Sequence, residues 1–175
     1  MSSGNAQGVT RSTRRSTFHS IVTVYITDPS AFVEFVPPEW VRPIRHLVLR
    51  PHQSFEATVY PGDTDEPTRH AAFLEDDRVV AAASIYRESP PAEQSTDAWR
   101  LRGMAVLPEW RRRGAGRAVL QRIVDHARAN GAVFVWCNAR VSAADYYERL
   151  GFRREGDIYD MPPLGPHVFM RHSLE

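Results

Sequence analysis

The thirteen residues from Val106 to Ala118, Val-Leu-Pro-Glu-Trp-Arg-Arg-Arg-Gly-Ala-Gly-Arg-Ala, constrain this chain more than any other stretch. An apolar run, Gly103 to Leu107, enters them, and a segment with helical periodicity, Gly114 to Asn130, leaves them. In that segment Ala115, Ala118, Val119, Ile123 and Ala127 recur at helical spacing, which predicts a strand, a tight turn and an amphipathic helix. A helix start carries backbone N–H groups without internal partners and the positive end of the helix dipole. Gly114 and Gly116 lack a Cβ, so an anion can approach the backbone there, and Arg111, Arg112, Arg113 and Arg117 add positive charge. The turn therefore reads as a pyrophosphate cradle. No Gly-Lys-Ser/Thr follows, which excludes a nucleotide P-loop. The third glycine of the dinucleotide fingerprint is also missing.

The rest of the chain reads as one domain, residues 18–175, behind a basic tail, 1–17, whose Ser, Thr, Gly and Arg content predicts disorder. Strands are expected at Phe18–Ile26, Ala31–Val36, Trp99–Val106, Ala132–Cys137, Arg153–Tyr159 and His167–Arg171, the last two joined by the loop Met161–Pro166. Ala71–Leu74 and Val79–Tyr86 flank Glu75-Asp76-Asp77-Arg78 and predict a hairpin. Pro38–Leu49 reads as a helix that Pro43 should kink or split. Ser142-Ala-Ala-Asp145 reads as a capping-box start for a short helix that Gly151 ends. Pro61–Arg69 and Glu88–Asp97 are polar, Pro-containing loops.

Val106, Pro108, Arg111, Gly114 and Gly116 match V-x-P-x-x-R-x-x-G-x-G/A, and Ala143, Tyr146, Tyr147, Gly151 and Phe152 match A-x-x-Y/F-Y-x-x-x-G-F. The two motifs, in this order and separated by one strand, resemble those of the GNAT (GCN5-related) N-acetyltransferases, from about Ala31 onward. The resemblance implies an α+β fold with a mostly antiparallel sheet flanked by helices. It implies acetyl-CoA as acyl donor and a primary amine of a small molecule or peptide as acceptor, with direct attack in a ternary complex. It places the backbone of Met104, Ala105 and Val106 along the pantetheine arm. It places residues Arg111, Arg112, Arg113, Gly114, Ala115, Gly116, Arg117 and Ala118 around the phosphates. Tyr147 takes the position of the acid that protonates the departing thiolate, and a phenol suits a thiol-type leaving group. Arg140 stands where many members carry Asn, so Arg140 or Asn138 is left to contact the cofactor. Many members also carry a Glu on the strand before the cradle, whereas Trp99–Val106 holds Arg100 and Arg102 and no acid. The base is then His167, another residue from elsewhere in the chain, or ordered water, an imidazole being suited to that work at neutral pH.

Composition narrows the alternatives. A net charge of +1 over 175 residues argues against a dedicated nucleic-acid binder. A ribosome- or RNA-associated module would have to rest on Arg11, Arg14, Arg15 and Arg111–Arg113 alone, and a CoA-binding regulatory module without turnover is the second alternative. The seven histidines show no ligand spacing, so no metal site is expected. Cys137 is the single cysteine and sits in an apolar run, as a buried strand residue of a cytoplasmic protein would. Arg14-Arg15 followed by Ile21–Ile26 is similar to a twin-arginine export signal but far too short. No run approaches the ~18 apolar residues that would span a membrane. The partners expected are the amine acceptor and, left open, a second copy of the chain. Asp63, Asp65 and Glu66 make the Pro61–Arg69 loop acidic, which predicts a wall that attracts a protonated amine.

Overall fold

A computed structural model describes residues 32–91 and 93–174. The expected tail and the Phe18–Ile26 strand lie outside the described residues. Among the described residues seven strands form one sheet in the order β1-β2-β3-β4-β5-β7-β6, and three α-helices accompany it. The strands are β1 (Phe32–Val36), β2 (Arg69–Glu75), β3 (Arg78–Arg87), β4 (Ala98–Val106), β5 (Phe134–Arg140), β6 (Arg153–Asp160) and β7 (Pro166–Ser173). Every pairing is antiparallel except β4 with β5, which is parallel. The helices, α1 (Pro38–Leu49), α2 (Ala115–Ala129) and α3 (Val141–Glu148), complete the α+β fold that the sequence predicts.

Small residues at the sheet's centre explain how helices cover it. Ala71, Ala72, Ala81, Ala82 and Ala83 are all fully buried. Without bulky side chains there, α1 and α2 pack close to the backbone of β2 and β3. The large core side chains, Trp99, Phe73 and Ile85, fill the space around that patch. Helix α2 is amphipathic as its periodicity requires, with Ala115, Ala118, Val119, Ile123 and Ala127 buried and Arg117 exposed. β6 forms one edge of the sheet and is exposed along its length. Its charged residues, Arg153, Arg154, Glu155, Asp157 and Asp160, blunt that edge against pairing with another chain.

Three local expectations change. Helix α1 runs through Pro43 unbroken, so Pro43 does not split it. Ser142 does not open a capping box: β5 runs directly into α3, Arg140 is the N-cap and no side chain caps the helix. The strand expected at Ala132–Cys137 begins at Phe134 because Ala132 belongs to the end of α2. Gly131 adopts a left-handed φ of 80°, and the Ala132 N–H donates to Ala127 O at 3.0 Å, closing the helix in a Schellman-type cap.

Candidate active site

The parallel ladder between β4 and β5 is short. It pairs Ala98 with Phe134, Trp99 with Val135 and Arg100 with Trp136, and there it ends. Beyond that point the strands part around a cavity of about 220 Å³. Leu101 to Met104 of β4 line one side and Cys137 to Arg140 of β5 the other. β4 is bulged at the same place: Ala82 pairs with Ala105 and Ser84 with Arg102, so Gly103 and Met104 together oppose Ala83. A bulge leaves the extra residue outside the ladder and bends the strand. Gly103 has φ 63°, and a Cβ there would stand 2.8 Å from Arg45 Nε, so this position needs glycine for two reasons.

β4 leads through a short 3-10 turn, Pro108–Trp110, into the arginine turn. Arg111, Arg112, Arg113 and Gly114 are exposed. Arg112 takes a left-handed φ of 62° and Gly114 one of 87°. Gly114 is the N-cap of α2 and no side chain caps the helix. A Cβ on Gly114 would meet nothing within 4 Å, so open space stands before the first turn of the helix. This fits a phosphate group: room, unpartnered N–H groups, the positive end of α2 and three exposed guanidinium groups meet there. Gly116 is also needed for packing. A Cβ there would lie 2.8 Å from Tyr146 Oη, 3.0 Å from Val106 Cγ2 and 3.2 Å from Met104 Cε. Gly116 therefore lets α2 pack against β4 and α3, while Gly114 faces the open space. Ala115 and Ala118 are buried, as is Ala105, whereas Met104 and Val106 are half-buried.

Tyr147 of α3 and His167 of β7 both line the cavity, together with Asn138, Arg140 and Met104. Tyr147 is held by the end of its own helix. The Phe152 N–H donates to Tyr147 O at 3.1 Å, Gly151 takes φ 93°, and the Phe152 ring packs edge-on to Tyr147 at 5.4 Å. The Gly-Phe pair is thus a Schellman cap that fixes the tyrosine. Burial pushes the Tyr147 phenol well above its ordinary range, so it stays protonated. His167 Nδ1 lies 2.7 Å from Gly165 O. A carbonyl only accepts, so Nδ1 carries the hydrogen, and the neutral ring's lone pair is then on Nε2. Cys137 is buried and its thiol is pushed up to about 12 by desolvation, which removes it as a nucleophile.

The Arg140 guanidinium donates from Nη2 to Leu49 O at 2.8 Å, tying the start of α3 to the end of α1. The acidic wall expected at Pro61–Arg69 does not form: no residue of that loop lines the cavity, which the preceding Tyr60 does. Asp63 is 5% exposed and engages Arg45, itself fully buried. Arg45 Nη1 and Nη2 donate to Asp63 Oδ2 and Oδ1 at 2.8 and 3.0 Å. Arg45 also reaches Thr58 O, Ser84 Oγ and Tyr86 Oη, and its Cζ lies 4.2 Å from the Tyr60 ring centroid. Glu66 pairs with Arg69 at 2.7 Å. The arginine's place in the apolar row Val41, Ile44, Arg45 and Val48 was the sequence signal for this network: a charge on the buried face of a helix needs a buried partner. Among the described residues no three His, Cys, Asp or Glu side chains come together as a metal site. No helix among them is long and apolar enough to cross a membrane.

The family model of the acetyltransferase (GNAT) family matches residues 29–152. The chain is 37% identical over 131 residues to the uncharacterized N-acetyltransferase YitI of Bacillus subtilis, covering 75% of this chain and 88% of that one. It is 32% identical over 94 residues to the ribosomal protein bS18-alanine N-acetyltransferase of Salmonella typhimurium, covering 52% of this chain and 59% of that protein. Its fold is similar to the crystal structure of Escherichia coli ElaA, with TM-score 0.61 and 15% identity over 82% of this chain and 99% of that one. It is also similar to an aminoglycoside 6'-N-acetyltransferase complexed with coenzyme A, with TM-score 0.62 and 10% identity over 82% and 97% of the two chains. Fold, motifs and relatives agree: the chain belongs to the GNAT family of N-acetyltransferases.

Proposed function

We propose that this enzyme moves the acetyl group of acetyl-CoA to a primary amine by direct attack in a ternary complex, with Tyr147 as acid and His167 as base. The observation that carries this reading is the cavity at the β4–β5 divergence, which both side chains line. Acetyl-CoA, when bound, supplies an activated acyl group and a thiol leaving group. The open space before Gly114, with the first-turn N–H groups from Arg113 to Arg117 and the side chains of Arg111, Arg112, Arg113 and Arg117, holds its phosphates, while the Ala118 N–H, expected among these donors, is already bonded to Gly114 O at 2.9 Å. The bulged backbone at Met104, followed by Ala105 and Val106, orients the pantetheine arm, with Asn138 or Arg140 facing it from β5. His167 Nε2 takes the proton that the amine loses as its nitrogen bonds to the carbonyl carbon. Tyr147 Oη gives its proton to the sulfur as the C–S bond breaks, and a phenol held protonated by burial is ready to do so. Residues 18–175 form the catalytic domain of this reading, in a cytoplasmic enzyme whose single thiol is buried.

Steady-state kinetics of two variants test these roles. Tyr147→Phe should lower kcat by roughly 100-fold or more, the typical contribution of a general acid, with acetyl-CoA affinity unchanged. His167→Gln should lower kcat with acetyl-CoA affinity unchanged. Wild-type kcat in both variants would reduce the two residues to packing.

A further inference from the structure

The cavity is basic. Arg50, Arg100, Arg102 and Arg140 line it, and among the described residues no Asp or Glu does. Arg100 is balanced from outside, with Nη1 2.6 Å from Glu88 Oε1. The other three reach neutral oxygens: Arg50 donates to Gln53 Oε1 at 2.7 Å, Arg102 to Pro61 O at 3.4 Å and Arg140 to Leu49 O at 2.8 Å. Aromatic faces hold the guanidinium groups in place. Arg102 Cζ lies 4.6 Å from the Tyr60 centroid and 5.3 Å from that of Tyr86, and Arg50 Cζ lies 5.4 Å from Tyr60. Stacking on a ring fixes a guanidinium plane while leaving its N–H edge free for an oxyanion. Desolvation and the neighbouring Arg100 weaken the protonated form of Arg102, so the site gains from a counter-charge.

These arginines lie away from the phosphate cradle. Arg102 precedes the bulge, and Val106, where the cradle begins, is four residues further along β4 on its other side. We infer that Arg50 and Arg102, both stacked on Tyr60, bind an oxyanion carried by the acceptor, and that the acceptor is a small amine bearing a carboxylate, of the amino-acid type. This rests on the acetyltransferase reading and names its substrate class. A planar carboxylate matches the guanidinium fork. The same positive field helps the chemistry, because like charge nearby disfavours the ammonium form and favours the neutral amine that attacks. An acceptor with several amines and no anion, such as a polyamine, meets only repulsion.

Binding to the CoA-saturated enzyme tests this without requiring turnover. Calorimetry compares N-acetyl amino acids, their N-acetyl amides, an N-acetylated diamine and N-acetyl phosphoethanolamine. The carboxylates should bind roughly 10- to 100-fold more tightly than the amides, the range for a charge-assisted contact. Arg102→Gln and Arg50→Gln should each erase most of that difference while CoA affinity stays unchanged. Equal or tighter binding of amides or the diamine overturns the inference, as does a panel in which nothing binds. Tighter binding of the phosphate compound than of every carboxylate overturns the carboxylate assignment. Failure to bind CoA at all would instead strike the cofactor reading.

Discussion

Replacing Asp63 with Asn isolates the largest electrostatic commitment in the fold. Asp63 accepts hydrogen bonds from Arg45 Nη1 and Nη2 at 2.8 and 3.0 Å, from the Tyr60 N–H at 2.9 Å and from Tyr86 Oη at 2.5 Å. These hold the carboxyl below its ordinary range against the desolvation that opposes them. Asn keeps the shape but removes the charge, and its amide N–H groups oppose the guanidinium's own. Arg45, whose side chain is 0% exposed, is left as an uncompensated buried cation. Breaking such a pair costs about 3–5 kcal/mol. For a chain of this size that is a Tm lower by roughly 6–20 °C. Chemical and thermal denaturation of Asp63→Asn measure it directly. Replacing both partners, Arg45→Met with Asp63→Leu, should recover most of the loss, because no charge is then stranded. A loss below about 1 kcal/mol in Asp63→Asn, or a double variant as unstable as the single, would refute the argument.

Two further outcomes follow from the geometry. Gly114→Val should weaken acetyl-CoA binding by calorimetry, since it fills the space before α2 and strains a φ of 87°. Gly116→Ala should instead lower Tm first, through the Tyr146 and Val106 contacts, and unchanged CoA affinity in Gly114→Val would misplace the cradle. Burial holds His70 below its ordinary value of 6.5 in the folded state. The unfolded chain therefore binds more protons below about pH 6.5, and stability should fall as pH drops through that region and level off above it, with a slope of at most about 1.4 kcal/mol per pH unit from this group. His70→Gln should flatten the Tm profile between pH 7.5 and 5, and an unchanged profile would remove His70 from the account.

The strand-turn-helix from Gly103 through α2 was legible because apolar runs and helical spacing carry it locally, and Gly114 and Arg111–Arg113 could be placed from it. Tyr147 was legible through its motif, and the structure gives that motif a reason in the cap made by Gly151 and Phe152. The basic lining of the cavity was not legible. Asp63 read as a surface acid because its partner, Arg45, is 18 residues away on α1. Arg50 follows α1, Arg102 lies on β4 and Arg140 ends β5, and all three line the cavity where β4 and β5 part. A divergence is a failure of pairing, which no local pattern announces. Ser142 misled for the opposite reason: a good local cap signal lost to a strand that continues into the helix.

The most direct test of the central claim is acceptor-dependent thiol release from acetyl-CoA by the purified full-length protein. It should be run over a panel of amino acids and amines, with mass spectrometry of the product. The account predicts that free CoA appears in step with an N-acetylated amine at a rate saturable in both substrates. Acetyl-CoA that binds at the Gly114 cradle yet yields no acetylated amine across that panel would contradict it.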